Sequence, residues 1–428
     1  MWQQLVLIVL SCLAATIQHG TAERVRYDNY KVYELQPQTA AQLETIKALD
    51  GSSDSLRFVD PEYNVDTKIY VLIAPHSVTD FVATLKESDI SYELVDENAQ
   101  NSLDTEELVA DANRPSGEYT WTEYHELNDT YAWLRSLPEK YPEQVSVFVV
   151  GQSYEGREIL GVKISYASNV DGATKRGIFI EGGSHGREWI SCATPTYIIN
   201  QLLTSTNADV RKMAESFDWY VVPHANPDGF VYTHTTDRIW RKTRTPYAND
   251  CFGADPNRNF DFHWNEAGTS NTSCGEMYAG PRAFSEVETR ALAEYISTLK
   301  GKLILYLTFH SYSQQLLYPY GYTSELPPNY NDLKRVFDVG VAALSKRYGT
   351  NYTGGPIYEE VNPVGGDSND WAYGVMEIPY SYAFKMRPSL SEGWIGFRLP
   401  AEQIIPASEE VMDSMLVMVK EIRTLSML

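Results

Sequence analysis

The chain has 428 residues, of which 43% are hydrophobic, enough for sizeable cores and long enough to divide into two domains. A formal charge of −22 argues against nucleic acid or an anionic membrane surface as a partner. The acid is uneven: residues 23–114 carry 8 Lys and Arg against 19 Asp and Glu, so half of the excess lies in the amino-terminal quarter.

Met1 to Ala22 contains the apolar run Leu5-Val6-Leu7-Ile8-Val9-Leu10 followed by small residues ending Gly20-Thr21-Ala22. That run is too short to span a bilayer and reads as a secretory signal, residues 1–22, although no Lys or Arg precedes it. No later stretch is long and apolar enough for a membrane helix, so a secreted, extracellular, soluble product is expected. After the signal, Lys31 to Leu35 alternates like a strand and Ala40 to Leu49 has helical spacing. Lys68 to Ala74 reads as a strand, Ser77 to Glu87 as a helix and Ser91 to Val95 as a strand. Strands interleaved with helices point to a small α+β sandwich. Asp96 to Ser116 is acidic and almost free of aromatic residues, which suits a linker. Within it Arg114 stands alone between Lys86 and Arg135, but Pro115 follows it and makes the bond a poor one for a trypsin-like protease.

From Tyr119 the composition becomes that of a large α/β unit. Strands are predicted at Val145 to Val150, Ile159 to Ile164, Ile178 to Glu181, Trp219 to Pro223, Leu303 to Phe309 and Tyr380 to Phe384. Helices alternate with them at Asp129 to Leu137, Ile190 to Leu203, Glu286 to Leu299, Tyr330 to Arg347 and Glu409 to Leu425. The fold class expected is therefore α/β, a mixed twisted sheet flanked by helices, with ligands gathering beyond the carboxyl ends of strands.

The stretch His185-Gly186-Arg187-Glu188-Trp189 sits where the strand ending at Glu181 hands over to a helix. An imidazole and a carboxylate three residues apart can converge on one cation, but His-x-x-Glu alone is a weak signal that reads more readily as a surface His with a solvated Glu. His310, placed immediately after the strand Leu303 to Phe309, is a third ligand candidate, because the ends of two strands can be neighbours in a sheet. A second group gathers bases and amides: Arg238-Ile-Trp-Arg241-Lys-Thr-Arg244 and Asp255-Pro-Asn257-Arg258-Asn259. A guanidinium beside an amide can grip a carboxylate in a fork, although surface salt bridging in an acidic protein is an equal alternative. Cys251 and Cys274 lie in a loop-rich segment and are expected to form a disulfide, whereas Cys192, in an apolar helix, reads as a buried free thiol.

Taken together, His-x-x-Glu with Trp, Trp-Arg-Lys-Thr-Arg, Asp-x-Asn-Arg-Asn and His-Ser-Tyr-Ser-Gln resemble the secreted zinc metallocarboxypeptidases of the pancreatic A/B type, over nearly the whole chain. The resemblance implies a carboxypeptidase-like fold, with the sheet unit at residues 115–428 preceded by an α+β propeptide domain at 23–114. It implies one zinc ion on His185, Glu188 and His310. Asn257 and Arg258 would hold the C-terminal carboxylate of a peptide or protein, Arg241 would stabilise the oxyanion, and Arg187 and Tyr312 would line neighbouring subsites. A monomer is expected.

Two positions depart from the family pattern. Where the family carries its general base as Phe-Glu-Leu-Arg, this chain reads Phe384-Lys385-Met386-Arg387, which puts Lys385 at the base position. Counting back from Trp371 puts Asn362 at the position of the loop tyrosine that closes over substrate, with Tyr358 four residues earlier. The following segment is also three residues longer than the family's, and Glu392 is its nearest carboxylate. An ammonium cannot accept a proton, and loss of general acid–base help costs roughly a hundred- to ten-thousandfold in rate. Asn369 falls where the specificity pocket is set; its neutrality argues against a strictly basic preference, with Asp367 two residues before it. The expected function is thus a zinc-site protein that engages C-termini with impaired hydrolysis; the rivals are an active carboxypeptidase using Lys385 or a rebuilt loop, and a metal-free structural relative.

Overall fold

A computed structural model describes residues 24–59, 64–104, 119–167 and 175–426. The expected signal at 1–22, the Arg114–Pro115 bond and most of the expected linker lie outside the described residues.

The amino-terminal domain is a four-stranded antiparallel sheet: β1 (Lys31–Gln36), β2 (Leu56–Phe58), β3 (Ile69–Ile73) and β4 (Ser91–Asp96), in the order β2-β3-β1-β4. Strand β3 is buried along its whole length, as its unbroken Ile-Tyr-Val-Leu-Ile run requires. The helix Ala40–Leu49 starts on a capping box formed by Thr39 and Gln42 and buries Leu43 and Ile46. The helix Val78–Glu87 buries Phe81 and Leu85, four residues apart on one face. These side chains meet Leu35, Phe58, Val71 and Ile73 in one apolar cluster. The α+β expectation holds. Strand β2 escapes periodicity because three residues are too few to show it. The expected linker is corrected at its start: residues 99–104 are helical, and Ala99 and Leu103 are buried.

The carboxyl-terminal domain is an eight-stranded mixed sheet in the order β11-β10-β12-β9-β7-β8-β6-β5. Its strands are β5 (Val145–Gln152), β6 (Glu158–Ile164), β7 (Gly177–Glu181), β8 (Asp218–Val222), β9 (Leu303–Ser313), β10 (Gln315–Tyr318), β11 (Thr353–Pro356) and β12 (Tyr380–Ser389). The centre, β12-β9-β7-β8, is parallel and covered on both faces. On one face lie the helices Leu127–Lys140, Trp189–Thr204, Ala208–Ser216, Tyr330–Lys346 and Ile404–Leu425; on the other lie Val287–Ser297 and Ser368–Gly374. This is the α/β sheet flanked by helices that the alternating segments predict. Strand β11 reads Thr-Gly-Gly-Pro, a turn by propensity, and is a strand because it pairs in parallel with β10. The helix Ser368–Gly374 is polar in sequence and begins at an Asp367 cap. One expectation is overturned: His310 does not follow its strand but lies within β9, because pairing with β12 continues through Lys385 opposite His310.

The two domains share a boundary that is itself a core. Val32, Tyr70 and Leu72 pack with Ile239, Tyr312, Trp394 and Phe397. Around it, Tyr27 donates to Asp237 at 2.9 Å, Arg57 pairs with Asp237 at 3.0 Å, and Asp50 accepts from the Glu276 backbone N–H at 3.1 Å. Burial, then the neighbouring Glu276 charge, pushes the Asp50 carboxyl up to about 7 from its ordinary 3.8, with Lys242 and Arg57 opposing. The docked state therefore holds a proton that the separated domain releases. Docking is strongest below the free value and weakens as pH rises through the docked one. After a cut within 105–118, retention of the amino-terminal domain should be greater at pH 5 than at pH 8, measured by gel filtration, and Asp50→Asn should flatten that difference.

Candidate functional site

Strand β7 ends at Glu181, and the chain turns through Gly182-Gly183-Ser184 before the helix Trp189–Thr204. Small residues are required here. A Cβ on Gly182 would meet the Ser191 carbonyl oxygen at 2.2 Å, and one on Gly186 would meet the Gly229 carbonyl oxygen at 2.5 Å. The turn is closed by the Ser191 hydroxyl, which donates to the Glu188 carbonyl at 2.6 Å and accepts from the Gly183 N–H at 3.2 Å. Glu188 stands at the N-cap of the helix, and its neighbour strand β9 brings His310 to the same point.

His185 Nδ1 lies 2.7 Å from Glu188 Oε1, His310 Nδ1 lies 3.1 Å from Glu188 Oε2, and the two Nδ1 atoms are 3.3 Å apart. All three side chains are buried. The outer faces of the rings are taken: His185 Nε2 meets Asp255 Oδ1 at 3.1 Å, and His310 Nε2 meets Thr308 Oγ1 at 3.3 Å. With the Nε2 proton of His185 held by Asp255, its Nδ1 lone pair faces a carboxylate oxygen. Two acceptors held that close out of water repel each other unless a cation lies among them. Two neutral imidazoles and one carboxylate, with a carboxylate behind one imidazole, match the donor set and outer support of a zinc site.

Electrostatics agree. Burial would raise Glu188, but positive charge at His185 and His310, which a bound cation would supply when both rings are neutral, outweighs it and holds the carboxyl well below its usual range. Burial lowers His310, and His185 and Lys385 add to that, favouring the neutral imidazole that ligation needs. Burial also works against the Asp255 charge, yet Arg241, His185 and Arg258 keep it ionised.

A cavity opens from this cluster, and it is lined by Arg241, Asn257, Arg258, Tyr312, Asn369 and Lys385 together with the three buried donors. Arg241 binds Asp255 Oδ2 through Nη2 at 2.8 Å and Nε at 3.2 Å, leaving Nη1 3.8 Å from Glu188. Arg258 spends Nε on the Gly268 carbonyl and Nη1 on that of Asn257. The Tyr312 hydroxyl donates to the Gly393 carbonyl at 2.7 Å. Lys385 on β12 sits beside His310 in register.

Other candidates are placed elsewhere. Arg187 is fully buried outside the cavity lining, donating to the Ile239 carbonyl and to Glu276 with its guanidinium 4.5 Å from the centre of the Phe397 ring. Asn362, Tyr358 and Glu392 do not line the cavity either. Cys251 and Cys274 are bridged, bracing the loop that carries Asp255 to Arg258, and Cys192 is a buried free thiol that burial pushes above its ordinary value. Sequence reading misses the role of Asp255, which lies inside a motif it quotes but works through contacts 14 and 70 residues away. It also misses the apolar lining: Leu317, Ile357, Val361, Val364 and Ala383.

Residues 130–414 match the protein family described as Zinc carboxypeptidase, and residues 33–106 match the Carboxypeptidase activation peptide. The chain is 53% identical over 407 residues to Zinc carboxypeptidase A 1 of Drosophila melanogaster, covering 95% of this chain and 94% of that protein. Among solved structures it resembles carboxypeptidase A from Helicoverpa armigera with a TM-score of 0.84 at 27% identity, covering 95% of this chain and 100% of that one. It also resembles bovine thrombin-activatable fibrinolysis inhibitor, solved in complex with tick carboxypeptidase inhibitor, with a TM-score of 0.65 at 31% identity over 71% of this chain and 99% of that one.

Removing one donor should remove the ion. His310→Ala should fall from about one zinc per chain to near none, measured by elemental analysis after dialysis. Asp255→Asn, which leaves the three donors in place, should weaken zinc binding by about ten- to a hundredfold in a chelator competition titration.

Proposed function

The chain belongs to the zinc carboxypeptidase family, and from that premise we propose that it is a secreted, monomeric protein whose zinc site engages peptide or protein C-termini while hydrolysing them poorly. His185, Glu188 and His310 are the ligands in this reading, residues 1–22 are the signal, and the domain up to Arg114 is the propeptide of a unit spanning 115–428. Absence of any helix long and apolar enough to cross a membrane, among the described residues, is consistent with secretion.

The observation that carries the reading is the make-up of the cavity. Its lining carboxylates, among the described residues, are Glu188, a ligand in this reading, and Asp367, which caps the helix Ser368–Gly374; beside His310 stands Lys385. When bound, zinc acidifies a water and polarises a carbonyl. Hydrolysis then needs a neighbour to take a proton and return it to the leaving amine, and a protonated lysine cannot. Binding needs less. Arg258, with two of its nitrogens anchored, presents a fixed fork edge to a carboxylate, and Asn257 stands next to it. The Arg241 guanidinium, oriented by Asp255, is placed to donate to a carbonyl oxygen near the metal donors. Asn362, away from the cavity lining, supplies no phenol to close over the substrate.

The rival is an active carboxypeptidase in which a neutral Lys385 serves as base. Zinc-loaded protein should show little turnover on a panel of blocked peptides, and Lys385→Glu should raise kcat by about a hundred- to ten-thousandfold, with Asn362→Tyr adding to it. Robust turnover by the parent chain that Lys385→Met abolishes would establish the rival instead.

A further inference from the structure

Beyond the carboxylate grip, the cavity continues between aliphatic walls. Leu317 on β10, Ala383 on β12, Ile357 at the start of the short helix Ile357–Glu360, and Val361 and Val364 after it form one buried apolar cluster that lines it. The lining of the same cavity also includes Asp367 and Asn369, at the start of the helix Ser368–Gly374. Both are almost wholly buried, at 3% and 2% exposure. Asp367 Oδ1 caps the helix, accepting from the N–H groups of Asn369 at 3.0 Å and Asp370 at 2.9 Å. Its Oδ2 has no partner. The Ser381 hydroxyl donates to Asn369 Oδ1, and Asn369 Nδ2 has no partner. One acceptor and one donor are thus left unpaired on two residues that line the cavity beside this apolar cluster. Nearby, Asn257 Oδ1 accepts from the Ser368 N–H at 2.9 Å, so the carboxylate grip and these two side chains belong to one hydrogen-bonded piece.

We infer that this pocket selects a C-terminal residue with a side-chain carboxamide, glutamine or asparagine, whose N–H2 donates to Asp367 Oδ2 and whose carbonyl accepts from Asn369 Nδ2. The inference rests on the reading of the site as a binder of C-termini and names the terminus it takes. A planar carboxamide carries both missing partners on one group. An alkyl side chain supplies neither, an ammonium leaves Asn369 Nδ2 unpaired, and a carboxylate faces Asp367 as a like charge. A buried polar group denied its partner bears its full desolvation cost, which is why sites built with such groups discriminate strongly against ligands lacking the match. The methylenes of the side chain would lie along the Leu317, Val361 and Ala383 walls.

The test uses the zinc-loaded full chain, cut in the 105–118 segment, and fluorescent tripeptides identical except for a C-terminal Gln, Asn, Leu, Lys or Glu. Gln or Asn should bind at least about tenfold more tightly than Leu, Lys and Glu, and amidating the C-terminus of the best peptide should abolish binding. Asp367→Ser, which keeps a capping oxygen, and Asn369→Leu should each erase the Gln preference, lowering affinity for the Gln peptide about tenfold relative to the Leu peptide, a change of ranking that general loss of structure would not give. Should the parent chain hydrolyse the peptides, kcat/KM ranks the same series. Leu or Lys ranking first overturns the inference, Lys because it would mean that Asn369 presents its oxygen. Binding that needs a free C-terminus but ignores the side chain overturns the inference alone. Failure of every peptide to bind overturns the C-terminus reading and this inference with it.

Discussion

Asp255 is wholly buried, and its two oxygens face in different directions, one to His185 Nε2 and the other to the Arg241 guanidinium. That division decides the state of everything around it. Holding the outer nitrogen of His185 turns the inner one, as a lone pair, toward Glu188; holding Arg241 keeps a cation next to a cluster that would otherwise carry two buried carboxylates. A buried charge is tolerated only with such partners, and Asp255 in turn needs both. The backbone follows suit: Asp255 Oδ1 also accepts from the Asn257 N–H, so Asn257 and Arg258 are hung from the carboxylate that holds His185.

The three donors, their outer support and Arg258 come from the turn after β7, from β9 and from the braced loop between residues 251 and 274, with β12 pairing alongside His310. Lys385 comes from β12, where it is the neighbour of His310 in register and its charge adds to the lowering of that imidazole. Two arginines and a lysine around one cavity favour an anionic ligand.

The amino-terminal domain bears on the same region through packing. Tyr312 and Phe397 line the cavity and also belong to the apolar cluster that Val32, Tyr70 and Leu72 complete from the other domain. The rim of the cavity is thus part of an interdomain core. Arg187 shows the consequence: held by Glu276 and by the Ile239 carbonyl under this boundary, it braces the interface rather than facing the cavity.

Local sequence determined much of this protein. Unbroken apolar runs such as Gly177–Glu181 and Leu303–Phe309 specify buried parallel strands, helical spacing specifies the covering helices, and the motifs around His185, Arg241, Asn257 and His310 specify donor types, because each of these depends on residues near one another in the chain. What sequence left open depends on pairing across distance. Strand β11 is a strand through β10, and His310 lies inside β9 because β12 runs alongside it. The role of Asp255 arises from a histidine 70 residues before it. The unpaired Asp367 Oδ2 and Asn369 Nδ2 stand out only once strands β10 and β12 and residues 357–364 bring an apolar cluster to the same cavity. Periodicity and motif fix which groups are available; which of them lose water together, and so must find partners in one another or in a ligand, is decided only by the tertiary fold.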